Sequence, residues 1–147
     1  MKTYGGFLIS QIRQLSGRVF EKTLKESGVD AFNGPQGRIL YVLWERQNVS
    51  ISEISKLTSL ANTTLTSMFE RMEQHELIER VPDPNDRRKI IISITPKAKE
   101  LKPTYDAVSE KTNEIFYAGF TEKEINKFEN TLRRILKNYE EAIENDK

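Results

Sequence analysis

The sequence predicts a mainly α chain with a minor β component (α+β), and three observations carry that expectation. Apolar residues recur at steps of three and four along most of the 147 residues, the period of one helix face. That period gives way to the β-branched run Ile90-Ile91-Ile92-Ser93-Ile94, typical of a strand. Glycine, proline and Ser/Thr-x-x-Glu signals stand at the joints between these stretches.

Taken in order, Leu8, Ile12, Leu15 and Val19 mark one face of a first helix over about Phe7 to Ser27, with Gly28 placed to end it. Asn33-Gly34-Pro35 is a break whose proline suits the opening of a second helix, about Pro35 to Gln47. Ile39, Leu40, Val42, Leu43 and Trp44 make that helix apolar over a wide arc, which predicts a central place in the core. Ser50-Ile51-Ser52-Glu53 fits a capping box, with Ser50 taking a backbone N–H and Glu53 reaching back; Ile54 and Leu57 supply the inward face of a short third helix. Thr58-Ser59-Leu60 interrupts the pattern for one turn. A fourth helix, about Asn62 to His75, follows with Leu65, Met68, Phe69 and Met72 on one side. Its other side is small and polar: Thr63, Thr66, Ser67, Glu70 and Gln74, flanked by Asn62 and Arg71.

The period then changes. Ile78 to Val81 and Ile90 to Ile94 are strand candidates, and Pro82-Asp83-Pro84-Asn85-Asp86-Arg87-Arg88-Lys89 between them is a turn followed by three consecutive cations. From Pro96 the helical period returns through Ala98, Leu101, Tyr105, Val108, Thr112 and Ile115, a heptad-like seam that Pro103 should kink or delay. Gly119 ends it. Thr121-Glu122-Lys123-Glu124 is a second capping-box match, opening a last helix whose Ile125, Phe128, Leu132, Ile135 and Tyr139 again step three and four.

Composition removes several classes of function. With no cysteine, thiol catalysis, disulfides, Cys-based zinc sites and direct thiol sensing are excluded. One histidine, His75, makes a metal site improbable and leaves no ordinary general base; its position suggests a helix end. No phosphate-cradling glycine loop and no nucleophile elbow is present, so the chain is not expected to be an enzyme and no cofactor is expected. No apolar run approaches a membrane span, and the first residues lack the pattern of a signal peptide, so a cytoplasmic protein without a membrane partner is expected. The formal net charge is +1, so any nucleic-acid site must be a local basic patch.

Two short helices joined by a tight turn, followed by a hairpin, make a winged helix-turn-helix. A helix fits the major groove of DNA, where base edges present distinct donor and acceptor patterns. It needs one face held in apolar packing and another free of bulky apolar groups, as residues 62–71 provide. An arginine of the hairpin can enter the minor groove, whose negative potential attracts it. Each feature alone is an ordinary solvated surface; their consecutive order is what points to DNA.

Pro35-Gln36, Ser52-Glu53-Ile54-Ser55, Thr64-Leu65-Thr66 and, most specific, Asp83-Pro84-Asn85-Asp86-Arg87-Arg88 resemble the MarR family of bacterial transcriptional regulators. The resemblance covers nearly the whole chain. It implies a homodimer whose terminal helices intertwine and whose two winged regions grip a near-palindromic operator in double-stranded DNA, many members repressing until a small aromatic ligand binds. By position it assigns Asn62, Thr63, Thr64, Thr66, Ser67 and Arg71 to the recognition helix, Ser50 to a phosphate, and Arg87 or Arg88 to the minor groove. Asp83 and Asp86 would brace the wing by pairing with arginine. The chain departs from the family at Ser59 and Glu76, where glycine is common, at Ser67, where a basic residue is frequent, and at Ile94-Thr95-Pro96-Lys97-Ala98, where a Leu-Thr-x-x-Gly pattern is usual.

The expected organisation is one domain over 1–147, with residues 34–98 the winged DNA-binding region and 1–33 and 99–147 dimerisation helices. The dimer has its own motive, since a small winged region cannot cover the apolar seams of the terminal segments. Tyr41 and Trp44 are candidate ligand contacts, with core packing as the plainer role. The rival to a ligand-responsive repressor is a helical dimerisation or adaptor protein that uses a winged fold for protein contacts; it would leave the polar-faced helix and basic hairpin without a task.

Overall fold

The structure, a computed structural model, describes residues 1–146. Its first helix, α1 (Gly5–Glu26), enters the core only at its end: Leu24 is buried and Phe20 partly so, while Leu8, Ile12 and Leu15 remain exposed. Gly28, at φ +75°, closes α1 as a Schellman motif. The Val29 amide donates to the Leu24 carbonyl at 2.9 Å, and the Gly28 amide to Lys25 at 3.0 Å.

Helix α2 (Gly34–Glu45) begins with a capping box the sequence reading did not anticipate. Asn33 accepts from the Gln36 amide at 2.9 Å, and Gln36 accepts from the Asn33 amide at 3.1 Å. Ile39, Leu40 and Leu43 are fully buried, as the wide apolar arc requires. Gly37 allows a close approach, because a Cβ there would stand 3.0 Å from the Tyr105 ring and 3.1 Å from Phe32 and would push those rings back.

A two-residue strand, β1 (Val49–Ser50), precedes α3 (Ile51–Thr58). It was not visible in the sequence, since two residues carry no period. The predicted capping box at α3 is half formed. Ser50 Oγ accepts from the Glu53 amide at 3.2 Å, but the Glu53 carboxylate faces that hydroxyl at 3.5 Å instead of reaching back to the backbone. Leu57, expected inward with Ile54, is 45 % exposed. Helix α4 (Asn62–Gln74) follows after Ser59, which sits in the left-handed region at φ +60°.

The sheet has order β1-β3-β2, with β2 (Ile78–Asp83) and β3 (Asp86–Ile94) antiparallel. Both strands run further than the sequence predicts, and the turn shrinks to Pro84-Asn85, so Arg87, Arg88 and Lys89 lie on strand β3 itself. Pro82 is tolerated because β2 is an edge strand. The short helix α5 (Pro96–Glu100) is separated from α6 (Lys102–Phe116) at Leu101. Pro103 accounts for the break: it has no amide to donate to Lys99, and its ring would crowd that carbonyl.

The chain divides into two compact units, the first from Met1 to Thr112 and the second starting at Asn113. The first holds the core, built on Ile39, Leu40, Leu43, Ile54, Leu65, Phe69, Met72, Leu77, Ile78 and Ile92 with Ala98, Tyr105 and Val108. In the second, α7 (Glu122–Asn145) opens with the predicted capping box. Thr121 accepts from the Glu124 amide at 3.1 Å and Glu124 accepts from the Thr121 amide at 3.0 Å. Phe116, Tyr117, Phe120 and Phe128 form an aromatic cluster there, with Tyr117 donating to Glu129 at 2.7 Å.

Candidate nucleic-acid interface

Helix α4 is held from one side only. Leu65, Phe69 and Met72 have no accessible surface, while Asn62, Thr63, Thr64, Thr66, Ser67, Glu70 and Arg71 are all exposed. Offsets of three and four residues produce this division, because they place the buried trio on one stripe of the helix. The Thr66 hydroxyl donates to the Asn62 carbonyl at 2.8 Å, leaving its oxygen as an acceptor towards solvent. Arg71 makes no ion pair among the described residues. Ala61 at the N-cap offers no side-chain acceptor, so the first amides of α4 are free to donate outward.

The far end of α4 is tied down by contacts that sequence reasoning missed. It closes as a Schellman motif like that of α1, with Leu77 donating to Met72 at 2.9 Å and Glu76 to Glu73 at 3.0 Å. Here the left-handed residue is Glu76, at φ +60°, where α1 has glycine. Thr95 Oγ1 donates to the Glu76 carbonyl at 2.6 Å, and Lys97 Nζ to the His75 carbonyl at 3.1 Å. His75 is the C-cap residue, as its position suggested. Arg80 on β2 grips Glu73 through two parallel hydrogen bonds, each 3.1 Å, and Glu70 adds its charge nearby. The Arg80 hydrogen bonds lower the Glu73 carboxyl below its ordinary range and raise the arginine further. The only sequence signal for any of this was Thr95 before Pro96, a cap followed by an N1 proline.

In the hairpin, Asp86 accepts from the Arg88 amide at 3.0 Å and lies 3.5 Å from the Arg88 Nε. Arg88 is nonetheless 93 % exposed, so its fork remains available. Asp83 does not pair with arginine, contrary to the expectation. Its carboxylate accepts from the Asn85 amide at 2.8 Å, because the shortened turn puts that amide within local reach. Arg87 is exposed and without an ion pair among the described residues. Strand alternation sends Arg87 and Arg88 to opposite faces of β3. Ser50, assigned to a phosphate by resemblance, is half-buried and occupied with capping α3.

Tyr41 and Trp44 part company. Trp44 packs against the Tyr105 ring in a tilted arrangement, 5.0 Å between centroids, and donates Nε1–H to the Ala98 carbonyl at 3.1 Å. Tyr105 is also within about 6 Å of Phe20, Phe32 and Tyr41, and burial pushes its phenol up. Tyr41, half exposed, lines an open cleft of about 430 Å³ with Arg38, Val42, Glu45, Arg46, Leu57 and Thr58. Leu57 is therefore a wall of this cleft and not a core residue.

Among known proteins, the model of the MarR family matches residues 32–90. An uncharacterised HTH-type transcriptional regulator of Bacillus subtilis, YsmB, is 29 % identical over 124 residues, covering 84 % of this chain and 85 % of that one. A variant MarR from E. coli complexed with operator DNA superposes with a TM-score of 0.80 at 21 % identity, covering 92 % of this chain and 99 % of that one. The PcaV transcriptional regulator from Streptomyces coelicolor, in complex with its natural ligand, gives 0.81 at 18 % identity, covering 92 % and 93 %.

Proposed function

We propose that the chain, whose residues 32–90 match the model of the MarR family and which is similar over most of its length to an HTH-type transcriptional regulator, is a DNA-binding regulator of that family and acts as a homodimeric repressor on a near-palindromic operator, with α4 reading base edges. The observation that carries this reading is the division of α4 into a fully buried apolar stripe and an exposed face of Thr63, Thr66, Ser67 and Arg71. Hydroxyls accept from or donate to base edges and phosphates, and Arg71 pairs with a guanine edge or a phosphate. Arg87 enters the minor groove; Arg88, steadied by Asp86, holds the phosphate backbone. Asn62 and Thr64 lie at the α4 entrance, where free amides favour a phosphate. Two-fold symmetry sets the half-sites about one helical turn apart, roughly 10 base pairs. No helix among the described residues is long and apolar enough to cross a membrane.

The dimer is formed by the terminal helices, whose Leu8, Ile12, Leu15, Ile135, Leu136, Tyr139 and Ile143 are exposed in the single chain. The cleft beside Tyr41 and Arg38 takes a small aromatic ligand, the ring against Tyr41 and an acidic group against Arg38. Trp44 is a support of the cleft's floor helix, since its ring and N–H are already engaged.

The test is a gel shift on the DNA upstream of its own gene, titrated with salt and unrelated competitor. A competitor-resistant complex whose affinity falls steeply with salt is expected. Arg87→Ala should weaken it with the dimer intact. Indiscriminate, salt-labile binding alone would overturn the reading in favour of a winged fold used for protein contacts.

A further inference from the structure

Three carbonyls at the end of α4, those of His75, Glu76 and Leu77, leave the helix with no partner further along it. All three are met from one place, the junction between β3 and α5. The Thr95 hydroxyl donates to Glu76 O at 2.6 Å, the Thr95 amide to Leu77 O at 3.1 Å, and Lys97 Nζ to His75 O at 3.1 Å. The same Thr95 oxygen accepts from the Ala98 amide at 3.2 Å, capping α5. One hydroxyl thus uses its single proton on α4 and a lone pair on α5, and it is buried. The Ala98 carbonyl in turn takes the Trp44 N–H, so the junction is fastened to α2 as well.

The residue Thr95 grips is the one with least reason to stay where it is. Glu76 holds φ +60°, a conformation costly to a residue with a Cβ, and nothing in its own side chain secures it. A carbonyl pinned from outside fixes that peptide, and with it the direction in which α4 leaves the core.

We infer that Thr95 is a positioning residue for DNA reading: by joining the α4 terminus to the α5 cap it sets the angle at which α4 meets the groove. The inference rests on α4 being the base-reading helix. Base-edge hydrogen bonds depend steeply on geometry, whereas phosphate attraction does not. Loss of the grip should therefore lower discrimination between sequences more than it lowers affinity for DNA in general.

The experiment compares full-length variants on two duplexes, one enriched from a random-sequence pool by the wild-type protein and one of the same composition scrambled. The quantity read is the ratio of the two dissociation constants, taken well below each variant's melting temperature. Thr95→Val, which keeps the shape and removes the hydroxyl, should cut the preference for the enriched duplex about tenfold, the low end of what one misaligned base-edge contact contributes to discrimination. Scrambled-duplex affinity should stay within about twofold, since its phosphate contacts are untouched. Thr95→Ser should restore the ratio. An unchanged ratio in Thr95→Val, with only a lower melting temperature, would make Thr95 a simple helix cap and overturn the inference. Should Thr95→Val not fold, the exposed Lys97→Ala decides: a reduced ratio supports the grip, and an unchanged one overturns it. Thr66→Ala with Arg71→Ala separates the two layers of the argument. If that pair lowers the ratio while Thr95→Val does not, the positioning role alone falls; if the pair leaves the ratio unchanged, α4 is not the reading helix and both fall.

Discussion

In the winged region every helix sends apolar side chains into one core, with Ile39 and Leu43 from α2, Ile54 from α3 and Leu65, Phe69 and Met72 from α4 all fully buried, although Tyr41 and Leu57 stay exposed. Helix α7, nearly twice as long as α4, buries none of its residues, and α1 buries only Thr23 and Leu24 near its end. The apolar periodicity of both regions is equally regular. In the first it is satisfied within the chain; in the second, Leu136, Tyr139 and Ile143 face outward. A regular seam therefore says that a surface will be covered, and not by what. Contiguous exposed apolar surface on such helices is what an interface with another copy of the chain would use.

That contrast can be broken most severely from the inside. Phe69→Ala should cost the winged region about 3–5 kcal/mol, since the ring is wholly enclosed and its neighbours cannot close the gap. Urea unfolding would measure the loss. Exposed residues ordinarily tolerate change, so the same logic makes Leu8→Asp with Ile12→Asp a sharp test of the terminal helices. If their seam is covered by a partner copy, the dimer dissociation constant should rise about a hundredfold or more, read by sedimentation. The winged core should keep its unfolding transition. No change in sedimentation would mean the seam faces water.

A smaller effect compares three helix ends that close in the left-handed region, two of them Schellman motifs. Gly28 ends α1 without strain, while Glu76 ends α4 and Ser59 ends α3 at left-handed φ. Glu76→Gly and Ser59→Gly should each stabilise the fold by about 1 kcal/mol, partly offset by the greater freedom of glycine in the unfolded chain. Gly28→Ala should do the reverse, and thermal melting distinguishes the three.

The smallest effect lies in two carboxylates, Glu73 of α4 and Glu124 of α7. Both are lowered from their ordinary values, Glu73 first by its hydrogen bond to Arg80 and Glu124 first by the Thr121 amide. A depressed carboxyl stabilises the fold above its unfolded pKa and loses that contribution as pH falls through its folded one. Glu73→Gln and Glu124→Gln should thus melt below the wild type at neutral pH, and the differences should shrink once the pH falls below the ordinary glutamate range, about 4.3, and vanish below the lowered folded pKa. A gap that persists in acid would assign it to packing instead of charge.

Several elements were legible before any coordinates. Helices α2, α4 and α7 announced themselves by apolar spacing, and α7 by Thr121 and Glu124; the strand β3 by its isoleucines. The Pro103 interruption was foreseeable because a missing amide is a property of one residue. By contrast, Leu57 looks inward on a helical wheel and is not, and Asp83 looks like an arginine partner and bonds the Asn85 amide. Both errors have one source. A wheel or a motif states which side of an element a residue occupies, not what stands opposite.

What the sequence by itself determined is therefore local: the order of the longer elements, most helix boundaries, the two faces of α4 and the three cations after the turn. These follow from interactions spanning a few residues, such as caps, turn geometry and side-chain period, which each segment carries with it. Only the tertiary structure decided that Arg80 would clasp Glu73, that Trp44 would hold Ala98, and that Thr95 would close the end of α4. Those pairs depend on where strands and helices come to rest after the core has formed. Many side chains of similar reach compete for each partner, and packing of the apolar core, not proximity along the chain, selects among them.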